Sequence, residues 1–255
     1  LAVADHSRKF IELSYNGNNY HGWQVQPNAV TVQAVVHKAL STFFRLPIET
    51  LGCGRTDTGV HATQFFAHFD LPEETSTPES IIQNINALLP HDIAVKRLIS
   101  VLPDAHARFD ATSRSYQYHI HFRKDPFKHN RSWLLRDFPD VEAMNQSATI
   151  LSEYTDFSSF SKSNTQVFTN NCIIKRAEWQ HFEEGLIFHI TADRFLRNMV
   201  RAIVGTLIEV GRGNLKPEEI RKIIESKNRS NAGSSVPACG LYLTEVVYPY
   251  IPANV

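Results

Sequence analysis

The chain has 255 residues, 42% of them hydrophobic, enough for one large domain or two modest ones with packed cores. Its 26 basic residues balance 26 acidic ones, so net charge alone does not draw it to a polyanion, and any such binding must come from where the charges lie. Cys53, Cys172 and Cys239 are far apart and odd in number, with no Cys-x-x-Cys pair, so neither a disulfide framework nor a zinc knuckle is expected and a reducing cytoplasm fits best. Residues 1–10 carry no apolar run or cleavage signature, so no signal peptide is expected, and no stretch approaches the ~18 apolar residues of a membrane span.

Residues 9–15 read as a strand, followed by a turn rich in Gly and Asn at 16–19. Val32, Val35, Val36, Ala39, Leu40, Phe43 and Phe44 then recur at helical spacing behind Thr31, a natural N-cap. Residues 64–69 predict a strand. Pro78 marks the first turn of a helix behind Thr77, with Ile81, Ile82, Ile85, Leu88 and Leu89 as its buried face. A strand follows at 93–101, and the chain changes character around 103–110, which places a boundary between halves 1–104 and 105–255.

In the second half, residues 115–122 alternate. Tyr116, Tyr118, Ile120 and Phe122 point one way, and Gln117, His119 and His121 the other. A helix is expected over 141–154, strands near 173–182 and 186–192, a helix from Phe195 to Val210 ending at Gly211 as its C′ residue, a short helix from Pro217, and a last strand over 241–248. Strands and helices interleave in both halves without a strict βαβ repeat. The expected fold class is α+β, with a mixed or antiparallel central sheet flanked by helices.

Charge is segregated along the chain. Residues 70–92 hold Asp70, Glu73, Glu74, Glu79 and Asp92 with no Lys or Arg. Residues 106–136 hold Arg108, Arg114, Arg123, Lys124, Lys128, Arg131 and Arg136 against Asp110 and Asp125. Arg194, Arg197 and Arg201 recur near helical spacing and suggest a basic stripe.

The most unusual segment is Gly52-Cys53-Gly54-Arg55-Thr56-Asp57-Thr58-Gly59-Val60-His61-Ala62, which sets three glycines around one Arg and one Asp. Glycine permits positive φ and close approach of a substrate to the backbone. A carboxylate fixed in such a loop beside a guanidinium favours its charged form and can act as nucleophile or base. Without the Gly-Lys-Ser/Thr run it is not a phosphate-binding P-loop, and the scattered histidines give no metal-ligand spacing. Cys53 is a second candidate nucleophile in the same segment.

Residues 54–62 closely resemble the G-R-T-D-A-G-V-H-A signature of TruA-type tRNA pseudouridine synthases, with Thr58 in place of the commoner Ala. Tyr15-Asn16-Gly17 and Tyr20-His21-Gly22-Trp23-Gln24-Val25-Gln26-Pro27 resemble the family's opening block, with Asn16 where Asp is usual. Phe109-Asp110-Ala111-Thr112-Ser113-Arg114-Ser115-Tyr116-Gln117-Tyr118 is similar to its R-F-x-A-x-x-R-x-Y-x-Y strand. Asp156-Phe157-Ser158-Ser159-Phe160, the run from Phe195 to Gly205, and Gly240-Leu241-Tyr242-Leu243 resemble three later blocks in the same order.

The resemblance implies two related α/β halves of RRM-like or ferredoxin-like topology and isomerisation of uridine to pseudouridine in tRNA, at positions 38–40 of the anticodon stem-loop. It implies Asp57 as the nucleophile, Tyr116 against the target uracil, Arg201 paired with the Asp57 carboxylate, Arg55 helping to open the stem and hold a flipped nucleotide, and Leu243 as a further substrate contact. It also implies a cytoplasmic homodimer working without metal or small-molecule cofactor. The alternative from another class is a non-catalytic RRM-like RNA-binding module, for which Tyr116 and Tyr118 would be stacking aromatics.

Overall fold

Four consecutive residues of the first strand, Phe10, Ile11, Glu12 and Leu13, are completely buried. A strand loses both faces to the core only in the interior of a covered sheet, and β1 (His6–Tyr15) lies between β3 (His61–Pro72) and β4 (Ile93–Ser100), antiparallel to both. The computed structural model describes residues 6–73, 75, 78–162 and 169–252. The chain divides into two compact units, residues 1–112 with 243–255, and residues 113–242.

In the first unit, the short β2 (Leu51–Gly52) pairs with β3. Helix α1 (Val32–Phe44) starts where expected. Thr31 Oγ1 accepts the Ala34 N–H at 3.3 Å, and Val32, Val36, Ala39 and Leu40 are buried. Helix α2 (Ile81–Leu88) buries Ile81 and Ile85, while Leu88 is 45% exposed and leaves the predicted apolar face. The helix is short and turns only a narrow face inward. The predicted cap Thr77 lies outside the described residues, and the structure places Ser80 at the N-cap.

The second unit carries β5 (Ser113–His121), antiparallel to β8 (Gly185–Ala192), which pairs antiparallel with β7 (Ile174–Phe182). The two-residue β6 (Trp133–Leu134) runs parallel to β5, so the pairing is mixed. The alternation expected on β5 holds for buried Tyr118 and Ile120, but His121 is also buried, at 5% exposure. Helix α3 (Val141–Ile150) ends earlier than predicted and passes into a 3-10 turn over Leu151–Glu153. Helix α5 (Glu219–Glu225) packs on the Ser158–Phe160 turn, where Ser159 Oγ donates to the Ile223 carbonyl at 2.6 Å.

Helix α4 corrects the sequence reading at both ends. It spans Met199–Gly211 and does not begin at Phe195, because Asn198 takes a left-handed φ of 67° that breaks the helix before its first turn. Arg194 and Arg197 therefore precede the helix, and only Arg201 lies on it, so the three do not form one helical stripe. At the other end Gly211 is still helical. Gly213, with φ 74°, is the C′ residue, with Gly213 N–H donating to Val210 (2.8 Å) and Asn214 N–H to Glu209 (3.0 Å) in a Schellman pattern. Gly211 is needed for space instead, since a Cβ there would meet Pro139 at 2.7 Å.

The last strand, β9 (Leu241–Val247), returns the chain to the first unit. Gln64 bridges it there, accepting the Val246 N–H at 2.8 Å and donating to Glu12 at 3.0 Å. The units meet in sequence at 112/113, eight residues beyond the boundary expected from composition, because residues 105–110 are tied back to β3 and to the chain after β9. The Ala107 N–H donates to His68 Nδ1 at 3.1 Å, and the Tyr248 hydroxyl donates to the Ala107 carbonyl.

Candidate active site

The segment holding Asp57 leaves and re-enters one strand. Gly52 pairs with Ala67 of β3, Cys53 N–H donates to the Phe66 carbonyl at 2.7 Å, and the chain rejoins β3 at His61. Gly52 is required by packing, since a Cβ there would lie 2.5 Å from Trp23 Nε1 and 2.8 Å from Phe65. The Trp23 and Phe65 rings sit 4.1 Å apart beneath the loop. Between these fixed ends, the Asp57 carbonyl accepts the Val60 N–H at 3.1 Å and closes a β-turn. Its third residue, Gly59, has φ 78°, the conformation that favours glycine there.

The opening block of the sequence braces this turn from below. Tyr15 and Thr56 share a hydroxyl–hydroxyl bond of 2.9 Å. Trp23 N–H donates to the Thr56 carbonyl (3.3 Å), Gly59 N–H to the Tyr20 carbonyl (3.4 Å), and Gly17 N–H to His61 Nδ1 (3.0 Å). Gly17 and Gly22 admit no side chain. A Cβ on Gly17 would lie 2.0 Å from the Val60 oxygen, and one on Gly22 would lie 2.2 Å from the Thr56 oxygen. Asn16 caps the small 3-10 turn Gly17–Asn19 by accepting the Asn18 N–H at 3.1 Å, a task Asn performs as well as Asp. Asp92 anchors the block in turn, accepting from the Tyr20 hydroxyl and from Asn19 Nδ2 (2.9 Å). Burial, and then this hydrogen bond, push the Tyr20 hydroxyl well above the usual phenol range.

The outcome is a half-buried Asp57 on a braced turn, with Arg55 exposed two residues earlier and Thr56 turned inward between them. Cys53 is 1% exposed within the core, which removes it as a candidate nucleophile. Leu243 of β9 is 2% exposed. Sequence reading missed the bracing residues Gly17, Gly22, Tyr20 and Asp92. The glycines and Tyr20 were visible as parts of a block, but nothing in one sequence says which loop they support.

In the second unit, Tyr116 stands on β5 opposite Ile190, half-buried, with its ring edge-on to Phe195 at 5.1 Å. Arg201, in the first turn of α4, is half-buried and donates from Nε to the Val236 carbonyl at 2.8 Å. Two residues along β5 from Tyr116, the Tyr118 hydroxyl donates to the Pro237 carbonyl at 2.8 Å, and burial pushes it far above its ordinary range. The basic segment is partly spent internally. Lys128 pairs with Glu183 at 2.9 Å, Arg123 with Glu184 at 3.8 Å, and Arg114 donates to the Asp193 carbonyl at 3.1 Å. Among the described residues no group of three or more His, Cys, Asp or Glu side chains is placed to hold a metal ion, and no helix is long and apolar enough to cross a membrane.

A family model described as tRNA pseudouridine synthase matches residues 154–249. The chain is 51% identical over 242 residues to a protein of Parabacteroides distasonis, covering 95% of this chain and 96% of that one. It is 51% identical over 243 residues to one of Bacteroides fragilis (95% and 96%), and 52% identical over 246 residues to one of Porphyromonas gingivalis (95% and 98%). All three are named tRNA pseudouridine synthase A. These matches, on a chain of mixed α/β fold, show an RNA-modifying isomerase, and the chain belongs to the tRNA pseudouridine synthase A family. It is an enzyme that isomerises uridine in tRNA, and the reading as a non-catalytic RNA-binding module is set aside.

Proposed function

We propose that the enzyme acts on uridines at positions 38–40 of the anticodon stem-loop, with Asp57 as its catalytic carboxylate. The observation that supports Asp57 is its placement, half-buried at the corner of a turn held by hydrogen bonds to residues 15–23, while positions 38–40 rest on the family resemblance. Isomerisation breaks the N1–C1′ bond of uridine and remakes the link through C5, with no redox change and no group lost. It needs one carboxylate in a fixed position, and a braced turn supplies that without reorganisation during reaction.

A uridine in a stem reaches such a carboxylate only after leaving the base stack. Arg55, exposed beside Asp57, supports the open stem and the flipped nucleotide. Tyr116 meets the uracil and Arg201 keeps the carboxylate-pairing role that the resemblance implies, whereas the Leu243 side chain, 2% exposed, would have to be uncovered to contact the substrate as the resemblance implies. The enzyme works as a cytoplasmic homodimer, two copies together extending the limited basic surface that one neutral chain offers. Sedimentation at micromolar concentration checks the dimer, and a fully active monomer would count against it.

The test of the site assignment is a set of tRNA transcripts that keep their other uridines and carry uridine at just one of positions 38, 39 and 40, mapped at every uridine for pseudouridine after treatment with the parent enzyme. Product confined to these positions supports the reading. Product elsewhere, with these three untouched, overturns it.

A further inference from the structure

The segment joining β4 to β5 is braced at almost every residue from 105 to 110. Arg8, held by Asp70 through two bonds of 2.7 and 2.8 Å, donates from Nη1 to the Ala105 carbonyl at 3.0 Å. His68 and Tyr248 hold Ala107 from its N–H and carbonyl sides. Asp110 Oδ2 accepts the His106 N–H and the Tyr250 hydroxyl, both at 2.8 Å. His106 Nδ1 accepts the N–H groups of Arg108 (3.1 Å) and Phe109 (3.2 Å), which requires that nitrogen to be unprotonated.

This frame presents an aromatic ring that the fold does not bury. Phe109 is 74% exposed, with the His106 ring 4.3 Å behind it at 31° and the Arg108 guanidinium 5.7 Å from its centroid, within cation–π reach. Phe127 and Phe138 are as exposed, but among the described residues neither has a cation over its ring. An exposed ring contributes little to folding, whereas a ring fixed in advance loses little entropy on binding. Aromatic and guanidinium planes are the surfaces on which unstacked RNA bases rest, and the guanidinium charge suits the neighbouring phosphate.

We propose that Phe109, with Arg108 beside it and His106 behind it, is a stacking platform for an unpaired nucleobase of the tRNA, separate from the loop that carries Asp57. The proposal rests on tRNA as the substrate but not on which uridine is modified. The platform acts in binding, so its loss is read in affinity and KM and leaves kcat at saturating tRNA in place.

The experiment uses unmodified tRNA transcript and the full chain with Phe109→Trp, Phe109→Leu and Phe109→Ala. Phe109→Trp keeps a π-face and adds a fluorophore, and two of the native indoles, Trp23 and Trp179, are only 1% and 3% exposed. Its difference emission against the parent should quench on titration with tRNA, with a Kd within about threefold of the parent. Phe109→Ala and Phe109→Leu should both weaken binding and raise KM about fivefold or more, in line with loss of one base–aromatic stack. An unchanged Kd in Phe109→Ala, a parent-like Phe109→Leu, or an unquenched indole overturns the proposal. So does a change in sedimentation of Phe109→Ala, which would assign the ring to contact between copies. Turnover of the same transcript by the parent protein tests the substrate reading separately.

Discussion

Gly22 backs onto Thr56 so closely that a Cβ at Gly22 would sit 2.2 Å from the Thr56 carbonyl oxygen and 3.1 Å from the Asp57 carbonyl carbon. The opening block and the aspartate turn, more than thirty residues apart in sequence, are therefore one mechanical piece. Gly22 also has φ 82°, which an L side chain adopts only with strain.

Gly22→Ala should consequently fail twice. Strain and overpacking together should cost roughly 2–4 kcal/mol of stability, read from urea unfolding. Displacement of Asp57 by even an ångström should lower the single-turnover rate about 100-fold at saturating tRNA. A stable, fully active Gly22→Ala protein would show that the opening block does not position the turn.

Acid should destabilise the protein well above the range where carboxylates protonate. His68 is 7% exposed and its Nδ1 accepts the Ala107 N–H. Burial, followed by the charge of Arg8 and then His106, pushes its pKa down to about 4, with Asp70 and Asp110 opposing weakly. His37, His106, His121 and His189 shift the same way, each chiefly through burial. A histidine whose folded pKa lies below its unfolded value of ~6.5 takes up protons first in the unfolded chain. Its contribution is intact above pH ~6.5 and is lost as the pH falls from there towards 4. His68→Asn, which keeps an acceptor near Nδ1 but does not titrate, should lose less stability than the parent between pH 7 and pH 5. For His68 alone the full effect is at most about 3–4 kcal/mol. Parallel pH profiles for the two proteins would refute the assignment.

Binding should depend on salt although the net charge is zero. The contacts are expected from exposed cations such as Arg55, Arg108, Lys124, Arg136 and Arg197. About 4–6 phosphate contacts give a slope of log affinity against log salt near −3 to −5. A flat response in filter binding would make these cations ordinary surface.

How much was legible in the sequence follows from how local each cause is. Helix α1 could be read because its period and its Thr31 cap lie within one segment, and the Asp57 turn could be read because its glycines announce unusual backbone. The start of α4 could not, since Phe195 and Leu196 extend the apolar spacing upstream and only the left-handed Asn198 breaks it. Gly211 and Gly213 look alike in sequence, but packing against Pro139 claims the first and positive φ the second. The support from Gly17 spans 44 residues to His61 and that from Asp92 spans 72 residues to Tyr20, and like that from Gly22 it is set by tertiary packing that no local pattern encodes.

Asp57→Asn is the sharpest test of the candidate site. Asn preserves the shape of the side chain, and the Asp57 carbonyl that closes the turn onto Val60 belongs to the backbone and is retained. What is lost is an anionic oxygen, and its neighbours Thr56 and Thr58 are not acidic enough at neutral pH to replace it. Removing a nucleophile or base takes away several orders of magnitude of rate while leaving remote binding contacts intact. Release of tritium from 5-tritiated uridine in tRNA should therefore become undetectable. The tRNA affinity should stay within about tenfold of the parent, a difference under ~1.4 kcal/mol. Residual turnover above about 1% of the parent rate would move the chemistry to another residue. Loss of binding together with turnover would instead make Asp57 a structural element of the turn that Tyr15, Tyr20 and Trp23 hold in place.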